Sequence, residues 1–180
     1  MMFKQDLKNF NTIRLAGVVR ESIVDGPGLR FTVFCQGCPH GCKDCHNKDT
    51  HDFNGGYDCE ITKIINAVEE NPLLDGVTFS GGEPFCQPES FYNLAVELRK
   101  VRPELNLMAY SGYTYEELIS MKNEAVDKLL SQIDILVDGR YVAELRDLTL
   151  LFRGSSNQRL IDMEKTRKEG HVVLAEKYMK

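Results

Sequence analysis

Four of the six cysteines fall between Cys35 and Cys45, in the string Cys35-Gln-Gly-Cys38-Pro-His-Gly-Cys42-Lys-Asp-Cys45. Thiolates this close in sequence can converge on one soft metal centre, either zinc or an iron–sulfur cluster. A disulfide framework suits secreted chains, and the stretch from Met1 to Val19 shows no apolar signal core followed by a small-residue cleavage site. A cytoplasmic chain with reduced thiols is expected. Cys38, Cys42 and Cys45 make a C-x3-C-x2-C loop, and two readings of it stay open. Three ligands would leave one iron of a four-iron cluster without a protein ligand, and an open iron is a place for chemistry. With Cys35 as a fourth ligand, the site would close as a structural zinc module or an electron carrier.

The rest of the chain bounds what such a loop can serve. At 180 residues, with 42% hydrophobic and 27% charged residues, it is about one domain with a real core. We take residues 1–180 as that single domain, with its centre at about 13–158 and 159–180 as a C-terminal extension to which the sequence gives no role. The net charge of −5 leaves no electrostatic footprint for nucleic acid, and no apolar run approaches a membrane span.

Periodicity gives an alternation of strands and helices. Ile13–Val19 and Leu29–Cys35 read as strands, the second with Leu29, Phe31, Val33 and Cys35 on one face. Asn47 to Asp58 reads as irregular. Ile61, Ile64, Ile65 and Val68 follow helical spacing, as do Phe91, Leu94, Ala95 and Leu98, with Pro88 in that helix's first turn. Gly76–Phe79, Leu105–Tyr110 and Ile133–Val137 are further strands, and Thr114 with Glu117 has the capping-box spacing. Such alternation implies parallel β-α units, which carry their ligands at the carboxyl ends of the strands. The cysteine loop, Ser80-Gly-Gly-Glu83, Tyr110–Tyr113 and Asp138–Arg140 all fall at such ends. Too short for eight repeats, the chain is expected to be α/β, an incomplete and open-sided (β/α) barrel. An open side suits a macromolecular substrate.

The cysteine spacing resembles the signature of the radical S-adenosylmethionine (SAM) enzymes, which cleave SAM on the open iron of a [4Fe-4S] cluster. Asp25-Gly-Pro-Gly-Leu-Arg30 is similar to the segment that precedes the cluster in the activases of glycyl radical enzymes. Ser80-Gly-Gly-Glu83 resembles the family's Gly-Gly-Glu motif. Arg153-Gly-Ser-Ser-Asn-Gln158, a polar turn on its chemistry alone, looks like a segment of the activases that serve anaerobic ribonucleoside-triphosphate reductase.

The resemblance implies a cluster held by Cys38, Cys42 and Cys45, and SAM held by Asp44, Cys45, His46, Gly81, Gly82, Glu83, Asp138 and Arg140. Asp44 stands where the family usually carries an aromatic residue. The implied partners are the glycyl radical subunit of the reductase and a low-potential electron donor such as flavodoxin. A different glycyl radical enzyme or another radical SAM substrate would share the same cluster residues. Cys35, Cys59 and Cys86 are expected to be packing residues, and His40, His46 and His51 ordinary polar loop residues.

Overall fold

The computed structural model describes residues 11–179. In chain order it contains β1 (Thr12–Ser22), β2 (Arg30–Cys35), β3 (Tyr57–Glu60), α1 (Ile61–Glu69), β4 (Gly76–Gly81), α2 (Pro88–Val101), β5 (Asn106–Tyr110), α3 (Tyr115–Ser120), α4 (Glu124–Gln132), β6 (Ile135–Asp138), β7 (Arg159–Asp162) and α5 (Met163–Glu169). The strands form one seven-stranded sheet in the order β3-β1-β2-β4-β5-β6-β7. Four of them, β2, β4, β5 and β6, run parallel, in register from Arg30↔Gly76 to Tyr110↔Val137. Antiparallel strands complete both sides: β1 and β3 beyond β2, and β7 beyond β6. The α/β alternation is therefore present, in an open sheet of mixed direction.

The two faces of the sheet are covered differently. Phe31, Val33 and Cys35 of β2 share a core with Val77, Phe79, Leu107 and Ala109, which packs against Ile61, Ile64 and Val68 of α1, Phe91, Leu94 and Leu98 of α2, and Leu129 of α4. The helices α1 and α2 thus bury the apolar stripes that their spacing promised. On the opposite face Met108, Ile135, Val137 and Leu160 pack against Ala175, with Phe152, Tyr178 and Met179 at the margin. That face is closed by loop and C-terminal segments, and a cleft remains beside them.

At the mouth of β2 the fully buried Arg30 spans three strands. Its guanidinium donates to the Thr78 hydroxyl at 2.6 Å and to the carbonyls of Pro27, Val77 and Asn106. Burial pushes its pKa down to about 10. Gly76 makes the room, since a Cβ there would lie 2.4 Å from Arg30 Nη1.

Two stretches differ from the sequence reading. The Asn47–Asp58 region holds a 3-10 turn at Lys48–Thr50 and then, at its end, the start of edge strand β3. All but Cys59 of β3 is exposed, so no alternation of apolar residues marked it. Beyond residue 158, β7 and α5 continue the fold. Asp162 caps α5 by accepting from Lys165 N at 3.1 Å, and Gly170 ends it in the left-handed region at φ 73°. The Thr114–Glu117 capping box is present, with Glu117 Oε2 accepting from Thr114 N at 2.8 Å. No helix among the described residues is long and apolar enough to cross a membrane.

Candidate metal centre

The cysteine loop leaves the end of β2 and is cinched before it reaches the thiols. Gln36 N donates to Arg14 O at 2.9 Å, Gly37 N to Thr50 O at 2.8 Å and Cys38 N to His51 O at 3.2 Å. The Gln36 side chain adds bonds to the carbonyls of Asp49 and Asp52. Cys38, Cys42 and Cys45 are reduced and half-buried, and all three line one cleft together with Gly81, Gly82 and Tyr141. Burial pushes the Cys38 and Cys42 thiols above their ordinary range, while the positive charge of Arg140 opposes this at Cys42. Cys45 Sγ accepts from Asn47 N at 3.4 Å.

This donor set fits an iron–sulfur cluster. Three soft sulfurs face one cavity, and Cys35 is not among them: it is fully buried in the apolar core. Cys59 and Cys86 do not line the cleft either. Among the described residues no three His, Cys, Asp or Glu side chains are gathered closely enough to hold a single metal ion.

The Ser80-Gly-Gly-Glu83 turn meets the loop backbone to backbone. Gly82 N donates to Cys35 O and Glu83 N to Gly37 O, both at 2.8 Å. A Cβ on Gly82 would sit 2.3 Å from Gly37 O, so only glycine allows the approach. The Glu83 side chain turns inward and is completely buried. Its carboxylate accepts from Phe85 N, the Ser111 hydroxyl, Gly112 N at 2.8 Å and His40 Nε2 at 2.6 Å. These four donors satisfy the buried carboxylate, and among the described residues no arginine or lysine pairs with it.

The other residues singled out in the sequence fall into distinct places. His46 joins Cys45, Gly81, Tyr110 and Tyr141 along a wider adjoining cleft on the face of the sheet opposite α1 and α2. Its ring lies 5.3 Å from that of Tyr141. Asp44 is exposed, in the left-handed region at φ 57°, and faces Lys48 at 3.8 Å. Asp138 is buried and accepts from Tyr115 N and from Arg159, so its carboxylate is engaged within the protein. Arg140 is exposed and donates to His40 Nδ1 at 3.2 Å.

The Arg153–Gln158 segment, which carried no chemical logic in the sequence, clasps the loop after β6. Gln158 Oε1 accepts from Gly154 N and Ser155 N while its amide nitrogen donates to Gly139 O at 3.1 Å. Asn157 Nδ2 donates to Arg140 O at 2.8 Å. Sequence reasoning missed His40, Tyr141, Gln158 and Arg159 as parts of this site. For His40 a signal existed: a histidine enclosed between Cys38 and Cys42 has little freedom to leave whatever they bind.

A family model described as a 4Fe-4S single cluster domain matches residues 24–161. The chain is similar to proteins named anaerobic ribonucleoside-triphosphate reductase-activating protein. That of Escherichia coli (strain K12) is 36% identical over 145 residues, covering 76% of this chain and 90% of the relative. That of Haemophilus influenzae is 31% identical over 142 residues, covering 76% and 89%. That of Enterobacteria phage T4 is 30% identical over 141 residues, covering 76% and 86%.

Proposed function

The chain belongs to the family of anaerobic ribonucleoside-triphosphate reductase-activating proteins, and from that premise we propose that it is a radical SAM activase of the class III reductase. The single observation that carries this reading is the shared cleft of Cys38, Cys42, Cys45, Gly81 and Gly82 at the ends of parallel strands. Bound there, a reduced [4Fe-4S] cluster and SAM would supply the radical chemistry by which a hydrogen atom is removed from a backbone glycine of the reductase.

The protein's part is to bind, orient and exclude water. Cys38, Cys42 and Cys45 would hold three irons, and the backbone of Gly81, Gly82 and Glu83 would face SAM beside the fourth. Residues 44–46 would border it through Cys45 and His46. Arg140 would offer its guanidinium from the end of β6. Asp138, engaged with Arg159, would act by shaping that strand end, and Glu83 by bracing the loop through its buried carboxylate. We read the open sheet as part of an incomplete, open-sided barrel, whose face opposite α1 and α2 admits the reductase. The electron donor would be of the low-potential flavodoxin kind, and the setting cytoplasmic.

Electron paramagnetic resonance tests the reading: the reconstituted, reduced protein with SAM and an anaerobic ribonucleoside-triphosphate reductase should produce a glycyl radical doublet on the reductase. SAM cleavage without a doublet on any such reductase would point instead to another glycyl radical enzyme or another radical SAM substrate.

A further inference from the structure

We infer that His40 is a positioning residue which, through one fixed tautomer of its ring, carries the Arg140 guanidinium to the rim of the cluster cleft. The inference rests on the proposed activase function only for what Arg140 then contacts; the positioning itself is a property of the chain.

His40 stands two residues from both Cys38 and Cys42, in a loop where a polar side chain would ordinarily be solvated. Its side chain is instead only 4% exposed. It is lodged among three strand ends. After β4, Glu83 Oε2 lies 2.6 Å from Nε2. After β5, the Tyr113 ring meets the imidazole edge to face at 4.4 Å. After β6, Arg140 Nε lies 3.2 Å from Nδ1. The fit is close enough that a Cβ on Gly112 would fall 2.2 Å from His40 Cδ2.

These partners fix the ring's proton. An arginine Nε–H can only donate, so Nδ1 must present its lone pair. The ring proton then resides on Nε2 and is donated to Glu83. The opposite tautomer would set two donors face to face at Arg140 and a lone pair against the carboxylate. Ser111, Gly112 and Phe85 fix Glu83, the bond to Glu83 sets which ring nitrogen keeps its lone pair, and that lone pair on Nδ1 holds Arg140. Among the described residues the two terminal nitrogens of Arg140 donate to no side chain or carbonyl, and its charge is felt at Cys42 and Tyr113. A guanidinium anchored by Nε and free at both ends is prepared for an oxygen-bearing ligand such as a carboxylate.

Side-chain amides separate the two hydrogen bonds of His40. In His40→Gln the amide nitrogen can replace Nε2 toward Glu83, but nothing replaces Nδ1. In His40→Asn the amide oxygen can replace Nδ1 toward Arg140, but nothing reaches Glu83. With reconstituted protein, H40Q should keep wild-type stability to urea yet bind SAM about tenfold more weakly, as should Arg140→Ala. H40N should be less stable yet bind SAM with near wild-type affinity. The H40Q/R140A double variant should lose no more than either single variant, because both act through one group.

Wild-type affinity in H40Q, or losses that multiply in the double variant, would overturn the inference. So would weak SAM binding by H40N in step with its lost stability, the pattern of a purely structural brace. If even the wild-type holoenzyme fails to bind SAM, it is the activase reading that fails. The inference is then decided by nitrogen-15 chemical shifts of the full chain before reconstitution: an Nε2-protonated ring that changes in R140A supports it, and an Nδ1-protonated ring overturns it.

Discussion

Arg159 closes on Asp138 from the neighbouring strand, its Nε 2.9 Å from Oδ1 and its Nη2 on Oδ2, around a carboxylate that is only 1% exposed. The same guanidinium reaches Glu116 on α3 at 2.7 Å. One side chain from β7 thus ties β6 and α3 together directly beneath the Gly139–Arg140 loop. The stretch beyond residue 158 is structurally part of the site's support.

Replacing Arg159 by Met should leave Asp138 buried with Tyr115 N as its remaining donor. Removing one partner of a buried pair is costly, but the guanidinium is one-third exposed and partly screened. The expected loss is about 2 kcal/mol in urea denaturation at neutral pH. The pH dependence has a definite sign. The hydrogen bond from Arg159 holds the Glu116 carboxyl below its ordinary range. A lowered folded-state pKa contributes stability that is present above the unfolded value and lost as pH falls through the folded one. The gap between wild type and R159M should therefore be constant above about pH 5 and shrink below about pH 4.

Gly82→Ala should act on the cysteine loop without touching a thiol. Its Cβ would lie 2.3 Å from the Gly37 carbonyl, a backbone atom that cannot swing aside. Overpacking of this kind costs about 1–3 kcal/mol. Thermal unfolding should show the loss, and iron retained per chain after reconstitution should fall with it. Wild-type stability together with full iron content would show that the strand end and the loop are not packed as described.

Gln158→Ala should release the clasp on the Asp138–Arg140 loop. It removes the acceptor of Gly154 N and Ser155 N and the donor to Gly139 O. Hydrogen exchange should rise at residues 139–142 and 153–156, at a cost in stability of about 1–3 kcal/mol. Unchanged exchange in these segments would refute the bracing role.

What could be read in the sequence was local. The spacing of Cys38, Cys42 and Cys45, the glycines at 81 and 82, the Thr114–Glu117 cap and the apolar stripes of α1 and α2 each lie within one turn or one helix. Their physics needs no distant partner. The residues that organise the site around them depend on long loops in the chain: His40 meets Glu83 across 43 positions, and Arg159 meets Asp138 across 21. Nothing local distinguishes such an arginine from a solvated one, and the one local sign for the histidine was its place between Cys38 and Cys42. The mixed sheet was hidden for a related reason. Both β3 and β7 are four residues long, β3 is exposed, and their antiparallel pairing follows from where the chain returns, not from their composition.

The central claim is that three thiols hold a cluster incompletely while Cys35 belongs to the core. Anaerobic reconstitution of Cys35→Ala and Cys38→Ala, with iron, sulfide and 5′-deoxyadenosine measured after reduction in the presence of SAM, tests it directly. The account predicts that C35A keeps about four irons per chain and cleaves SAM, and that C38A does neither. Loss of the cluster in C35A, matching the loss in C38A, would mean a centre closed by four thiolates and would contradict it.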